Sequence, residues 1–416
     1  MNQDTTSHPL PQKSRSLFCL FLAFIIGLTS RFAFNFIGTV YVGELLCAAL
    51  LPFLFVIYYR EVVSSRTLIV FLILTFIMLL GFVASDLVRG NTFQNYIRGW
   101  AKVVFLGLSI TTVSILGLKD KRCIPWLFIG LSISLLFNKL KPDTGVDDAL
   151  GWKWNYGYAA SYLVVAISPR LHPLIFTIAS AGLSLFSFIH RFRSLGGQLI
   201  FTVGLSFYSR YFRRKKQSKA SYVSIALALI FSIVLMAGII ALSPTALIQE
   251  EKDSSHGRLQ GILGGIHTVI QSPIIGFGSW ASTAELAEAQ RDYFKSHGNK
   301  SLFEKRRTIG AHSQLLDTWM AGGILAALFF IFLFYMCFWG ILRCTVQRAY
   351  DSFTSPIIFL CMITLWHILQ SPFGGYHRFT IALTIMSLVI LKKEIAEDRA
   401  SATEPLAPPT FETTGG

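Results

Sequence analysis

Apolar runs long enough to cross a lipid bilayer recur along almost the whole chain, and this recurrence restricts the fold more than any motif does. A helix needs roughly 20 apolar residues to cross a hydrocarbon core of about 30 Å, and only helices or closed barrels satisfy their backbone groups there. These runs are too long and continuous for barrel strands. With 53% of its 416 residues hydrophobic and 14% charged, the chain cannot hide its apolar side chains in one soluble core. An all-α integral membrane protein is the expected class.

Twelve spans are expected, at 17–30, 40–58, 67–84, 99–118, 123–138, 157–168, 173–189, 195–208, 222–242, 313–340, 354–370 and 379–391. The sixth and eighth are short and the tenth is long, which predicts tilt or half-exposed ends. The chain thus divides into nine spans within 1–242, an outer loop at 243–312, three spans within 313–396 and a tail at 397–416. The tail, rich in Ala, Thr, Pro and Gly, is expected to be disordered.

A net charge of +15 in a soluble protein would raise nucleic acid as a partner. Here much of the excess lies in short loops. Lys13/Arg15, Arg60/Arg66, Lys119/Lys121/Arg122, Arg170, the run 210–219, Arg343/Arg348 and Lys392/Lys393 fall on one face under this span count. The positive-inside rule makes that face cytoplasmic, with both termini on it, and no nucleic acid is implied. The run 210–219 contains no acid and is suited to anionic lipid headgroups. The six cysteines lie in or beside apolar runs without CxxC spacing, so they are expected to act as small hydrophobes. The first run lacks a small-x-small cleavage site and reads as an uncleaved anchor.

The opposite face holds the stretches 86–98, 139–156, 190–193 and 370–378, and the long polar interruption from Ser243 to Ala311. Trp152 and Trp154 near the second of these suit an interfacial anchor. Within the long interruption, Leu259, Ile262, Leu263, Ile266 and Ile270 recur at helical spacing until Ser272-Pro273. A second amphipathic helix is expected over 282–294, and the pair suggests a lid over the bundle. Between them lies a glycine turn, Gly276-Phe277-Gly278-Ser279-Trp280.

Arg89, Arg98, Arg191, Arg193, Arg258 and Arg378 all fall on this outward face, with Lys102 just inside a span. Each can snorkel to lipid headgroups. Guanidinium groups that converge would instead grip phosphate through bidentate, charge-assisted hydrogen bonds. His312 stands at the mouth of the tenth span, where an unperturbed pKa of about 6.5 suits proton transfer, although a histidine there can also be a polar anchor. The histidines show no HExxH spacing and the outward loops no DxD of the kind that holds a metal against a diphosphate, so no metal or cofactor is expected. Glu44, deep in the second span, is either a functional acid or a hydrogen-bonding partner for a neighbouring helix.

Arg193-Ser-Leu-Gly-Gly opening a span, Ser-His-Gly-Arg258 before a helical stretch, the turn Ser272-Pro273-Ile-Ile-Gly276-Phe-Gly278, and His312-Ser-Gln-Leu-Leu before Gly322 resemble the O-antigen ligase and polymerase superfamily. The resemblance covers roughly residues 175–375. It implies a GT-C-like polytopic glycosyltransferase of the bacterial inner membrane, with a large helical periplasmic loop. The reaction it implies moves a glycan from undecaprenyl diphosphate to an acceptor hydroxyl, on lipid A-core for a ligase or on another repeat unit for a polymerase. By position, Arg193 and Arg258 would bind the diphosphate, with Arg191 an equally close candidate for the first role, and His312 would deprotonate the acceptor. The single dominant outer loop favours a ligase. A twelve-span transporter or flippase is the alternative class, but the halves show no internal repeat.

Overall fold

A computed structural model describes residues 12–35, 38–138, 152–190, 192–211, 259–279, 284–296, 310–347 and 353–403. Among these residues the protein is helical apart from one hairpin. The first half comprises α1 (Gln12–Thr29), the hairpin of β1 (Ala33–Asn35) and β2 (Thr39–Tyr41), α2 (Val42–Ser64), α3 (Arg66–Arg89), α4 (Phe93–Lys119) and α5 (Cys123–Asn138). Then come α6 (Gly157–Ile167), α7 (Pro173–Ile189) and α8 (Arg193–Tyr211). Helix α9 spans 259–271 and α10 is Ala284–Ser296. The last three are α11 (Gln314–Leu342), α12 (Thr354–Gln370) and α13 (Gly375–Thr403).

Eleven of the twelve apolar stretches fall on helices, and the ninth, 222–242, lies outside the described residues. Among the described residues, four helices are long and apolar enough to cross a membrane by length and composition: Val42–Ser64, Arg66–Arg89, Phe93–Lys119 and Gln314–Thr345. Shorter apolar helices include Cys123–Phe137, Leu174–Ile189 and Thr354–Gln370.

Local chemistry sets the helix ends. Ser65 caps α3 by accepting from the Leu68 N–H at 3.4 Å, and Gly90, at φ 60°, turns the chain out of it. The stretch expected to be a loop from Asp86 to Arg98 is therefore mostly helix, because α3 runs to Arg89 and α4 restarts at Phe93. Across the interior, hydroxyls tie helices together where water cannot. Thr112 donates to the Cys47 carbonyl at 3.0 Å, and Ser132 to that of Ala159 at 2.6 Å.

The contacts sort polar groups to two ends of the bundle. At one end Arg122 grips Asp120 while Ser16 donates to the same carboxylate at 2.5 Å, and Lys121 pairs with Glu394 at 2.7 Å. Burial works to raise the Asp120 pKa, but the hydrogen bonds from Arg122 and Ser16 outweigh it and hold the value below the ordinary range. The other end gathers the hairpin, the start of α11, and the segment from α12 to α13. Glu44 and Arg378 meet there as a buried two-point ion pair, 2.5 and 2.7 Å. Glu44 is thus the hydrogen-bonding partner of another helix.

Candidate functional site

The stretch that interrupts the apolar sequence is anchored by its glycine turn. Helix α11 breaks at Gly322 and Gly323, the latter at φ 67°, which releases the carbonyls of Met320 and Ala321 from the helical ladder. The turn takes them up: Phe277 N–H donates to Met320 at 2.7 Å and Gly278 N–H to Ala321 at 3.0 Å. Non-helical backbone within a membrane-spanning helix is tolerable only when its polar groups find partners in this way. Trp319 adds a bond from its indole N–H to the Pro273 carbonyl at 2.8 Å.

Two residues of α3 hold the turn from the other side. Asp86, buried, accepts from the Asn91 amide at 2.6 Å, the Ser279 N–H at 2.9 Å, the Ser279 hydroxyl at 2.6 Å and the Trp100 indole at 2.7 Å. Those four donors use the full accepting capacity of a carboxylate. Arg89 donates to the Gly276 carbonyl at 3.0 Å and the Ser272 hydroxyl at 2.8 Å, and pairs with Glu285 of α10 at 2.5 Å. Arg89, expected to belong to an outward arginine set, is engaged in holding the turn.

Helix α9 packs in an unexpected sense. Its apolar positions Leu259, Leu263, Ile266 and Ile270 are exposed, and its glycines face inward. A β-carbon on Gly261 would lie 2.8 Å from the His312 ring, and one on Gly265 would lie 2.8 Å from the Ala311 side chain. Only glycine allows so close an approach, which is why the face chosen is not the apolar one. The outward stripe suits contact with lipid.

His312 is half-buried beneath α9, one residue before the cap of α11. Ser313 fixes it there, accepting from the Leu316 N–H at 3.2 Å and donating to the Ile368 carbonyl at 2.8 Å. Arg193 opens α8, and burial lowers its pKa from the ordinary guanidinium value, although such a group stays charged. Its neighbour Phe192 packs on Tyr158 at 5.1 Å, and the Tyr158 hydroxyl lies 3.5 Å from His367 of α12. The segments carrying Arg193 and His312 therefore come to the same end of α12. Arg191 and Arg258 lie outside the described residues.

Beside this end are two adjoining cavities that share Lys102 and Phe373. The larger, about 400 Å³, is bounded by the hairpin, α4 and the start of α13, with Arg98, Lys102 and Arg378 in its wall. The smaller, about 200 Å³, is lined by Asp317, Thr318, Ser279 and Phe82 besides the shared pair. Asp317 accepts from the Phe373 N–H at 3.2 Å, and Gly310, two residues before His312, sits over its carboxylate. Sequence reading noted Lys102 only as the start of a span. Its spacing four residues after Arg98 placed both on one helix face, which was the available signal. Among the described residues, no three His, Cys, Asp or Glu side chains are grouped as a metal ion would need.

No curated protein matches this chain. Residues 179–331 match the family model described as O-Antigen ligase, a stretch that contains Arg191, Arg193, Arg258 and His312. The match falls on the residues that carry the resemblance, and over that stretch it supports the O-antigen ligase and polymerase superfamily.

Proposed function

We propose that the protein is a ligase that moves a glycan from undecaprenyl diphosphate to a sugar hydroxyl of lipid A-core, at the periplasmic face of the bacterial inner membrane. Twelve spans with both termini cytoplasmic are part of this reading, as is a GT-C-like fold with the loop 243–312 outside. The observation that carries it is the anchoring of His312 by Ser313 to the end of α12, where the Arg193 segment also arrives, with both His312 and Arg193 in the family-matched stretch.

In the reaction, His312 takes the proton of the acceptor hydroxyl, and the freed oxygen attacks the anomeric carbon. The bond from that carbon to the diphosphate oxygen breaks, and its electrons leave with the diphosphate on the prenyl carrier. Arg193 and Arg258, with Arg191 as an alternative to Arg193, stabilise the charge that develops there, as metals do in other transferases. A diphosphate so stabilised leaves without a general acid. Direct displacement inverts the anomeric centre.

Polymerisation of repeat units uses the same chemistry with a different acceptor. The single outer loop favours the ligase. Purified protein in detergent, given lipid-linked glycan and lipid A-core, should form product that is lost in His312→Ala and Arg258→Ala and unaffected by EDTA. Activity that EDTA removes and magnesium restores would overturn the metal-independent mechanism. Joining of repeat units without any transfer to lipid A-core would assign the polymerase reaction instead.

A further inference from the structure

At the end of the bundle away from His312, two cations differ from their neighbours. Lys119, Lys121 and Arg122 pair there with Glu61, Glu394 and Asp120, and Lys393 pairs with Glu397. Among the described residues, no carboxylate pairs with Arg343 or Lys392. Both instead stand over one indole, that of Trp339, with the guanidinium carbon 5.5 Å and the ammonium nitrogen 5.6 Å from its ring centroid. A ring face gathers the two like charges without neutralising them, so an anion beside them would be attracted by both.

The indole has hydrogen bonding left to give. The N–H groups of Trp100, Trp152 and Trp319 each donate to a protein acceptor. Among the described residues, none accepts from the N–H of half-buried Trp339. Two helices bring the three groups together. Tyr335, Trp339 and Arg343 follow one another at one-turn intervals, and Ile331, Phe334, Tyr335 and Phe338 form an exposed stripe leading along α11 to the indole. Lys392 arrives on α13, which packs closely on α11, since a β-carbon on Gly340 would lie 2.5 Å from the Leu388 side chain. Beside it, Lys393 donates to the Leu118 carbonyl at 3.5 Å and fixes this end of α13 against the last turn of α4.

We propose that Arg343, Lys392 and Trp339 bind the headgroup of an anionic glycerophospholipid from the adjoining leaflet, with an acyl chain lying along the exposed stripe of α11. The guanidinium and ammonium groups donate to the phosphodiester oxygens, and the indole N–H to a phosphate or ester oxygen at the same level. A lipid fits better than a soluble phosphate, because one molecule then meets both the cations and the apolar surface that runs up to them. Bound there, it bridges α11 to α13 and stabilises the folded state as any ligand of that state does. Trp339, Arg343 and Lys392 lie outside the family-matched stretch, and none of them enters the proposed transferase chemistry.

Thermal unfolding of the full-length protein in a neutral detergent, with increasing mole fractions of phosphatidylglycerol or phosphatidylcholine in the micelles, tests the site. Phosphatidylglycerol should raise Tm more than phosphatidylcholine does at equal mole fraction, and glycerol 3-phosphate should leave it unchanged. In the double variant Arg343→Gln, Lys392→Gln, the phosphatidylglycerol fraction that gives half the effect should rise at least about tenfold. Lys392 is exposed, so Lys392→Gln alone keeps the fold and should raise that fraction about fivefold. A second double variant, Arg60→Gln, Arg66→Gln, removes the same charge at the same end and should keep the parent response. Equal stabilisation by the two lipids, or an unaltered response in Lys392→Gln, would overturn the site. So would an equal loss in the Arg60 and Arg66 variant, which would mark a diffuse attraction to charge, and stabilisation by glycerol 3-phosphate would overturn its lipid character. No glycan donor or acceptor enters the measurement, so its failure leaves the ligase reading untouched.

Discussion

The N–H of Phe277 donates to the carbonyl of Met320 at 2.7 Å, so a turn in the longest polar stretch completes the hydrogen bonding of a membrane-spanning helix. Helix α11 and that turn are each incomplete alone. Gly323 makes the junction possible, because a β-carbon there would lie 1.8 Å from the Ile274 carbonyl oxygen and its φ of 67° is left-handed. Gly323→Ala should destabilise the protein by at least ~1–2 kcal/mol from the backbone conformation alone. A lowered Tm in detergent, with faster hydrogen exchange over 272–279, is the expected result.

Asp86 and Arg89 clamp the same turn from α3. In Asp86→Ala the Ser279 N–H and the Trp100 indole lose a charged acceptor in a buried place, a loss of about 1–3 kcal/mol for each group left unsatisfied. Arg89→Ala removes three contacts at a less buried position and should cost less stability. Limited proteolysis of the segment around α10 should rank the variants in that order.

The Glu44–Arg378 pair joins α2 to α13 with both groups buried. Removing one partner, as in Glu44→Ala, strands a buried charge and should destabilise by about 3–5 kcal/mol. The double variant Glu44→Met, Arg378→Met should recover a substantial part of that loss in a thermal-unfolding series.

At the other end of the bundle, Asp120 predicts a pH dependence. Its folded-state pKa is depressed, so its stabilising contribution is complete above the unfolded value of about 3.9 and fades as pH falls through the folded one. Asp120→Asn should lower Tm at pH 7, and the gap to the parent protein should close as the pH drops below about 4. A gap that stays constant down to pH 2 would contradict the assignment.

Arg193→Lys retains charge but loses the planar fork, and transfer should fall at least tenfold if the guanidinium grips phosphate in two places. Steady-state kinetics of this variant with lipid-linked donor would check the loss.

Local signals in the sequence were read with most success where one residue decides the outcome. Ser272-Pro273 stops α9 where expected, and the glycine turn is a turn. What could not be read were relations between distant residues. Glu44 and Arg378 are 334 positions apart, and nothing near either names the other. Asp86 is expected to open an outer loop, although it anchors Ser279 from 193 positions away. In α9, periodicity marks the apolar residues, whereas close approach to His312 selected the glycines for the inward face. Twelve spans and their orientation were inferred from hydropathy and charge, which describe a bilayer rather than any contact.

The bond from Ser313 to the Ile368 carbonyl ties His312 to a joint between two helices. Loop residues distant from that joint are then at liberty to drift in sequence and reshape what docks above the imidazole. On the proposed ligase reading, a scaffold arranged so can exchange one sugar clientele for another while the proposed proton acceptor stays put.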